Sequence, residues 1–430
     1  MASLSEAPSS TGVERATHVR YGVVALAVLL AGVTYLDRVC ISKLAPEIMR
    51  DLRLSQYQMS FVFSAFTVAY AAFEIPTARW ADRRGTRKVL TRIVVWWSSF
   101  TIATAGALGY GSLLVIRFLF GMGEAGAWPS VTSTFSRWIP AKERGTVQGI
   151  FFTGAHLSGG LTPMLVTVLT GYLPWRAIFA LFGLVGFVWA AAWYLWFRDD
   201  PSQHPRVNEA ERRLIVGGRK PAAPHHASRQ YWLRLATHRN TWPLCLMYIA
   251  NVCAYFFCIT WLPTYLEEQY GLSAMQLGVA AGMPLTLSVL GDLFGGVITD
   301  RMTRRFGLWV GRCGVGATAY GLAGLAMYFA AATEDPLACV ILLSLAVAAA
   351  MFTLGAAWAT CIDIGGNHSG VVSATMNTAG NGFAMLVPFC TIFLKDRFST
   401  WDAPLYAMSG LFVLGMVCWC LLDPRKRVFD

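Results

Sequence analysis

Charge is what this sequence has least of. Asp, Glu, Lys and Arg together make up 14% of its 430 residues, where an average soluble domain carries roughly 25%. With 55% apolar residues and a mean hydropathy of +0.49, too little polar sequence remains to cover one or two water-soluble cores. A soluble enzyme is excluded. The chain has no HExxH helix, nucleophile elbow or phosphate-binding loop, so no catalytic residue is assigned. Its ten cysteines form no CxxC pair. Cys40, Cys245, Cys253, Cys258, Cys313, Cys339, Cys361, Cys390, Cys418 and Cys420 lie in or beside apolar runs and read as small hydrophobes. Neither a disulfide framework nor a zinc site is supported, and no metal or cofactor is expected.

Long apolar segments are what the chain has in plenty. A membrane-spanning helix uses about 20 mostly apolar residues, which allows about twelve helices here. Six segments fall at 20–44, 56–78, 89–108, 112–135, 146–171 and 176–197, and six more at 241–266, 274–299, 312–332, 336–362, 370–394 and 403–422. The first is too long for a secretory signal peptide and has no small-residue cleavage site. The expected fold class is an all-α membrane protein of twelve transmembrane helices in two six-helix halves. Its parts are a tail at 1–19, a first half at 20–197, a linker at 198–240, a second half at 241–422 and a tail at 423–430. The linker carries Pro201, Pro205, Pro221, Pro224, His225, His226 and many arginines.

The net charge of +11 is read by position. With the N-terminus placed in the cytoplasm, 27 of the 35 basic residues fall in inside loops and six in outside loops; Arg38 and Arg117 are embedded. This asymmetry predicts two cytoplasmic termini in the cell membrane. The positive charge is thus a topology signal, and no nucleic-acid partner is expected.

The halves repeat each other. Ser55 and Asp82 are 27 residues apart, as are Ser273 and Asp300, and GTVQGIFFTGAHLSGGLTP (145–163) aligns with GVVSATMNTAGNGFAMLVP (370–388). A pseudo-symmetric bundle implies a central cavity with alternating access. The loop WADRRGTRK, from Trp80 to Lys88, resembles the signature loop of the major facilitator superfamily. By that resemblance Asp82, Arg83, Gly85 and Arg87, with Asp300 and Arg301 in the repeat, gate the inward opening.

Three further stretches resemble the anion:cation symporters of that superfamily, which include bacterial D-galactonate, glucarate and hexuronate carriers and the vesicular glutamate and sialic-acid transporters. They are YLDRVCISKLAPEI (35–48), RFLFGMGEAGAWPS (117–130) and TWLPTYL (260–266). The resemblance covers essentially the whole chain. It implies that Arg38 binds the substrate carboxylate, that Asp37 and Glu124 are protonation sites, and that Arg117 is the partner tuning Glu124. The residues support this independently. Embedded charges are expensive and pair in the bundle interior; Arg117 and Glu124, seven apart, share a helix face. Two acids and two bases neutralise one another, so an added anion leaves negative charge that a proton would remove.

Tyr70 matches a family position that reaches substrate, and His156 falls where the family often has a polar residue. Tyr255 and Asn251, Trp358 and Thr360, and Asn377 with Asn381 are the second-half candidates for holding a polyol acid. Two acids depart from the family pattern. Glu74 stands where glutamine is common and is expected to pair with a loop arginine; Asp292 has no obvious local partner. The resulting expectation is a proton-coupled importer of a hexonate, hexuronate or aldarate. Its partners are the anion, protons and lipid, and a monomer suffices. The alternative is an exporter of drugs or other small organic molecules.

Overall fold

The computed structural model describes residues 15–217 and 229–429. Residues 1–14 of the tail, the linker stretch with Pro221, Pro224, His225 and His226, and Asp430 lie outside the described residues.

The first half contains α1 (Val19–Leu52), α2 (Gln56–Arg84), α3 (Thr86–Ala105), α4 (Tyr110–Glu124), α5 (Ala127–Trp138), α6 (Arg144–Thr170) and α7 (Trp175–Trp196). Two short helices, α8 (Glu209–Val216) and α9 (Arg229–Thr237), follow. The second half contains α10 (Thr241–Thr260), α11 (Leu262–Tyr270), α12 (Ala274–Phe306), α13 (Val315–Ala332), α14 (Pro336–Phe352), α15 (Leu354–Gly365), α16 (Ser369–Ala384), α17 (Val387–Phe398) and α18 (Asp402–Leu421). Twelve membrane segments result, because α4 with α5, α10 with α11, α14 with α15 and α16 with α17 are each one broken segment. Eight described helical stretches, one of them running from α14 through α16, are long and apolar enough to cross a membrane. The remaining segments are shortened by these breaks or carry more polar residues.

The breaks have local causes. Pro263 and Pro388 stand in the first turns of α11 and α17, where a missing N–H ends the preceding ladder. Between α4 and α5, Gly126 has φ 85° and packs so closely that a Cβ would meet Thr77 at 2.7 Å. A side chain there is excluded both by backbone conformation and by space. This break leaves Glu124 at the end of α4.

The repeat is visible in the caps. Ser55 and Ser273 each donate a backbone N–H to the side chain three residues on, Gln58 at 2.9 Å and Gln276 at 3.0 Å. The helices α2 and α12 end at Gly85 and Gly307, both at positive φ. Small residues bring α6 against α12, with the Cβ position of Gly149 only 2.4 Å from the Asp292 carbonyl oxygen. Leu29, Val188, Leu195, Leu322, Phe389 and Val413 are exposed on the outside, a surface that suits lipid rather than water. The ten cysteines are free thiols, eight of them buried.

The linker is partly structured. Glu211 of α8 is fully buried and accepts from the backbone N–H groups of Val19 and Arg20, each at 3.1 Å. A carboxylate there complements the positive end of α1, so the linker ties down the start of the first half.

Candidate functional site

Both ends of the described chain lie on one side of the molecule, and there the halves are latched. Asp82, at the end of α2, accepts from the N–H groups of Gly370 and Val371 at 3.2 and 3.0 Å. Asp300, its equivalent in α12, accepts from Gly145 and Thr146 at 3.0 and 2.6 Å. Each aspartate therefore caps a helix of the opposite half, and the two segments matched as an internal repeat are the two helices being capped. Arg312 joins Asp300 at 2.9 Å to Asp363 at 3.0 Å, and Arg144 reaches Asp363 at 2.7 Å. The neighbouring basic residues work differently. Arg87 donates to the Tyr194 carbonyl oxygen at 2.9 and 2.7 Å, while Arg83 and Arg301 are exposed. Gly85 lies against Asp199, whose carboxylate caps α3 through Thr86 and Arg87 at 2.6 and 3.0 Å.

Beyond this latch lies a cavity of about 800 Å³ between the halves. Its walls run along α6, α10 and α12, and Leu161 in the C-terminal half of α6 and Ile259 at the end of α10 are exposed. Its walls include Arg38, Tyr70, His156, Tyr255, Trp358, Asn377 and Asn381, all expected from the sequence. Asn251 lines it too, with Nδ2 on the Ala350 carbonyl oxygen at 2.7 Å. Thr360 does not; it is fully buried and bonded to Ala356.

Behind the wall stands a chain of buried charges. Arg38 Nε pairs with Glu124 Oε1, and Glu124 is fully buried. Arg117, the expected charge partner of Glu124, makes no ion pair with it among the described residues. Its guanidinium lies over Phe120, 4.2 Å from the ring centroid, and the guanidiniums of Arg117 and Arg38 are each 5.4 Å from the Phe66 ring centroid. Arg117 acts on Glu124 and Asp37 through space. Asp37 is buried beside Arg117, Trp97 and Thr101, and neither of its oxygens accepts a hydrogen bond of good geometry among the described residues.

Glu74 corrects the sequence reading. Among the described residues no loop arginine reaches it; it is fully buried, and its partners are Asn377 Nδ2 at 2.5 Å and Thr378 Oγ1 at 2.8 Å in α16. Tyr70 OH lies 3.5 Å away. The carboxylate thus bridges the halves just below the cavity. Asp292 has a partner that sequence spacing did not reveal, His156 Nδ1 at 2.5 Å. The two residues are 136 positions apart and in different halves.

Other wall residues escaped the sequence reading. Tyr35 and Trp128 fall inside the motifs quoted above, and Tyr248 lies seven residues before Tyr255, two turns along the same helix face. Trp358 Nε1 donates to Tyr248 OH at 3.3 Å, and Asn381 Nδ2 to the Asn377 carbonyl oxygen at 3.0 Å. Among the described residues no cluster of His, Cys, Asp and Glu is arranged to hold a metal ion.

Comparison with known proteins agrees with the fold. Residues 27–388 match the Major Facilitator Superfamily model. The chain is 34% identical over 414 residues to a "Probable sulfoacetate transporter" of Cupriavidus necator, covering 96% of this chain and 95% of the relative. It is 30% identical over 395 residues to a "Hexuronate transporter" of Bacillus subtilis, covering 91% and 92%. Among solved structures, the E. coli fucose:proton symporter superposes with a TM-score of 0.67 at 15% identity, over 94% of this chain and 99% of that one.

Proposed function

The chain belongs to the Major Facilitator Superfamily, and on that footing we propose that it is a proton-coupled symporter importing a small organic anion of the sugar-acid type by alternating access. The observation that carries the proposal is the Arg38–Glu124 ion pair at the wall of a cavity that is latched on the termini side. A planar guanidinium matches a carboxylate or sulfonate in two-point fashion and keeps its charge. Glu124 already occupies one edge of it. The substrate anion and the Glu124 carboxylate therefore compete for the same cation, and a proton on Glu124 hands Arg38 to the substrate.

Asp37 and Arg117 extend this logic inward. With Arg38 and Glu124 they sum to zero, so the loaded anion brings one negative charge into a region where unpaired charge is expensive. A proton on Asp37 or Glu124 restores neutrality. Tyr70, Tyr255, Trp358, Asn377 and Asn381 supply hydroxyl, amide and aromatic surfaces suited to a polyol chain. The latched side is taken as cytoplasmic, from the distribution of basic residues, and the membrane as the bacterial inner membrane. In the structure described here the site then opens outward. The alternative of an exporter of lipophilic cations fits poorly with an arginine on the cavity wall.

The test is uptake of labelled sulfoacetate, galacturonate and glucarate by proteoliposomes holding the full chain, beside the Arg38→Ala variant. Uptake of at least one, lost in the variant, supports the proposal. Equal signals from both proteins for all three refute it.

A further inference from the structure

The contact between His156 and Asp292 stands outside the four charges used above. His156 lines the cavity from α6, and its Nδ1 lies 2.5 Å from Oδ2 of Asp292 in α12. Asp292 is wholly buried, and its Oδ1 has no hydrogen-bond partner among the described residues. The charged and titratable groups facing the imidazole are Tyr35 and Arg38 from α1, Tyr255 from α10 and Asp292 itself.

Because Nδ1 is committed to Asp292, the number of protons on the pair decides what Nε2 offers the cavity. With one proton, held between Nδ1 and Oδ2, Nε2 is a bare lone pair and repels an anionic oxygen. With two, the pair is either imidazolium with aspartate or imidazole with aspartic acid. In both forms Nε2 carries a hydrogen and donates. One added proton thus converts Nε2 from acceptor to donor. The proton comes from solvent in the open cavity and rides with the pair; no bond other than N–H or O–H changes.

We infer that the His156–Asp292 pair is a second substrate anchor, switched on by one proton, and that the substrate class bears an acidic group at each end. Resting on the transport reading above, this names hexarates and short sulfocarboxylates as the preferred class over monocarboxylates. The two anchors, Arg38 and His156, face one cavity. Tyr35, whose ring centroid is 6.4 Å from that of His156, lies three residues before Arg38. The pair also joins α6 of one half to α12 of the other, so the anchor is complete only while these helices are together.

Titration calorimetry on the purified full chain tests this, in buffers of different ionisation enthalpy so that proton uptake is counted. The probes are glucarate against gluconate, and sulfoacetate against acetate, pairs that differ by one acidic group. Wild type should favour the dianion by at least about tenfold and take up one proton more with it. His156→Gln keeps a polar side chain and Asp292→Asn keeps the shape of the acceptor, so each guards against misfolding of the other. Both should erase the preference and the extra proton. Variants that retain the two, or a wild type that prefers monoanions, overturn the inference alone. A wild type that binds none of the four probes overturns the transport reading with it.

Discussion

Arg38 of α1 holds Glu124 at the end of α4 in an ion pair whose members lie 86 positions apart, and Arg38 Nη2 is left without a hydrogen-bond partner among the described residues. One cation thus serves an internal acid while retaining donors for a guest. Arg38→Lys keeps the charge but loses the fork. Hydrogen bonds to charged groups contribute about 1.5–3 kcal/mol each, so substrate affinity should fall on the order of tenfold to a hundredfold, read as KM in exchange assays. Unchanged KM would remove Arg38 from the site.

Glu124→Gln cannot pick up a proton but can accept a hydrogen bond from Arg38. It should retain exchange of internal for external substrate while losing accumulation against a gradient, and Asp37→Asn should behave alike. Parallel exchange and pH-driven uptake measurements separate the two activities. Full accumulation in both variants would contradict the coupling assignment.

Glu74 links α2 to α16 through Asn377 and Thr378. Glu74→Ala strips a buried amide and a half-buried hydroxyl of their acceptor, a loss of about 1–3 kcal/mol. The thermal midpoint of the detergent-purified protein should drop, and Glu74→Gln should recover part of the loss. An unchanged midpoint in the alanine variant would show the bridge to be energetically idle.

The aspartate caps at the latch lead to a conformational prediction. Asp82→Asn and Asp300→Asn remove the negative charge from the helix starts at Gly370 and Gly145, worth about 0.3–2 kcal/mol per cap. Cysteines placed on the termini side, with exposed Cys390 and Cys420 replaced, should label faster in these variants. The double variant should exceed either single one. Identical labelling rates would mean the caps do not hold this side shut.

Much of this was legible in the sequence. The segments, the repeat and the cavity positions of Arg38, Tyr70, His156, Tyr255, Trp358, Asn377 and Asn381 follow from apolar length, spacing and motif. Partners did not. The sequence assigns Glu74 to a loop arginine, yet the helix carries its side chain toward α16, more than 300 positions distant. The same blindness hid the pairing of Asp292 with His156. Nor does the shared helix face of Arg117 and Glu124 reveal that the ion pair of Glu124 crosses to Arg38 on another helix. A helix pattern reports which face is polar; it does not report which helix of the other half stands opposite.

The most direct measurement is pH-driven accumulation. Proteoliposomes buffered at neutral pH are diluted into acidic medium containing labelled glucarate, galacturonate or sulfoacetate, and uptake is followed with and without a protonophore. Transient accumulation of at least one anion above its external concentration, abolished by the protonophore and by Glu124→Gln, is the predicted result. Uptake that only equilibrates and ignores the pH gradient for every anion would contradict proton-coupled import.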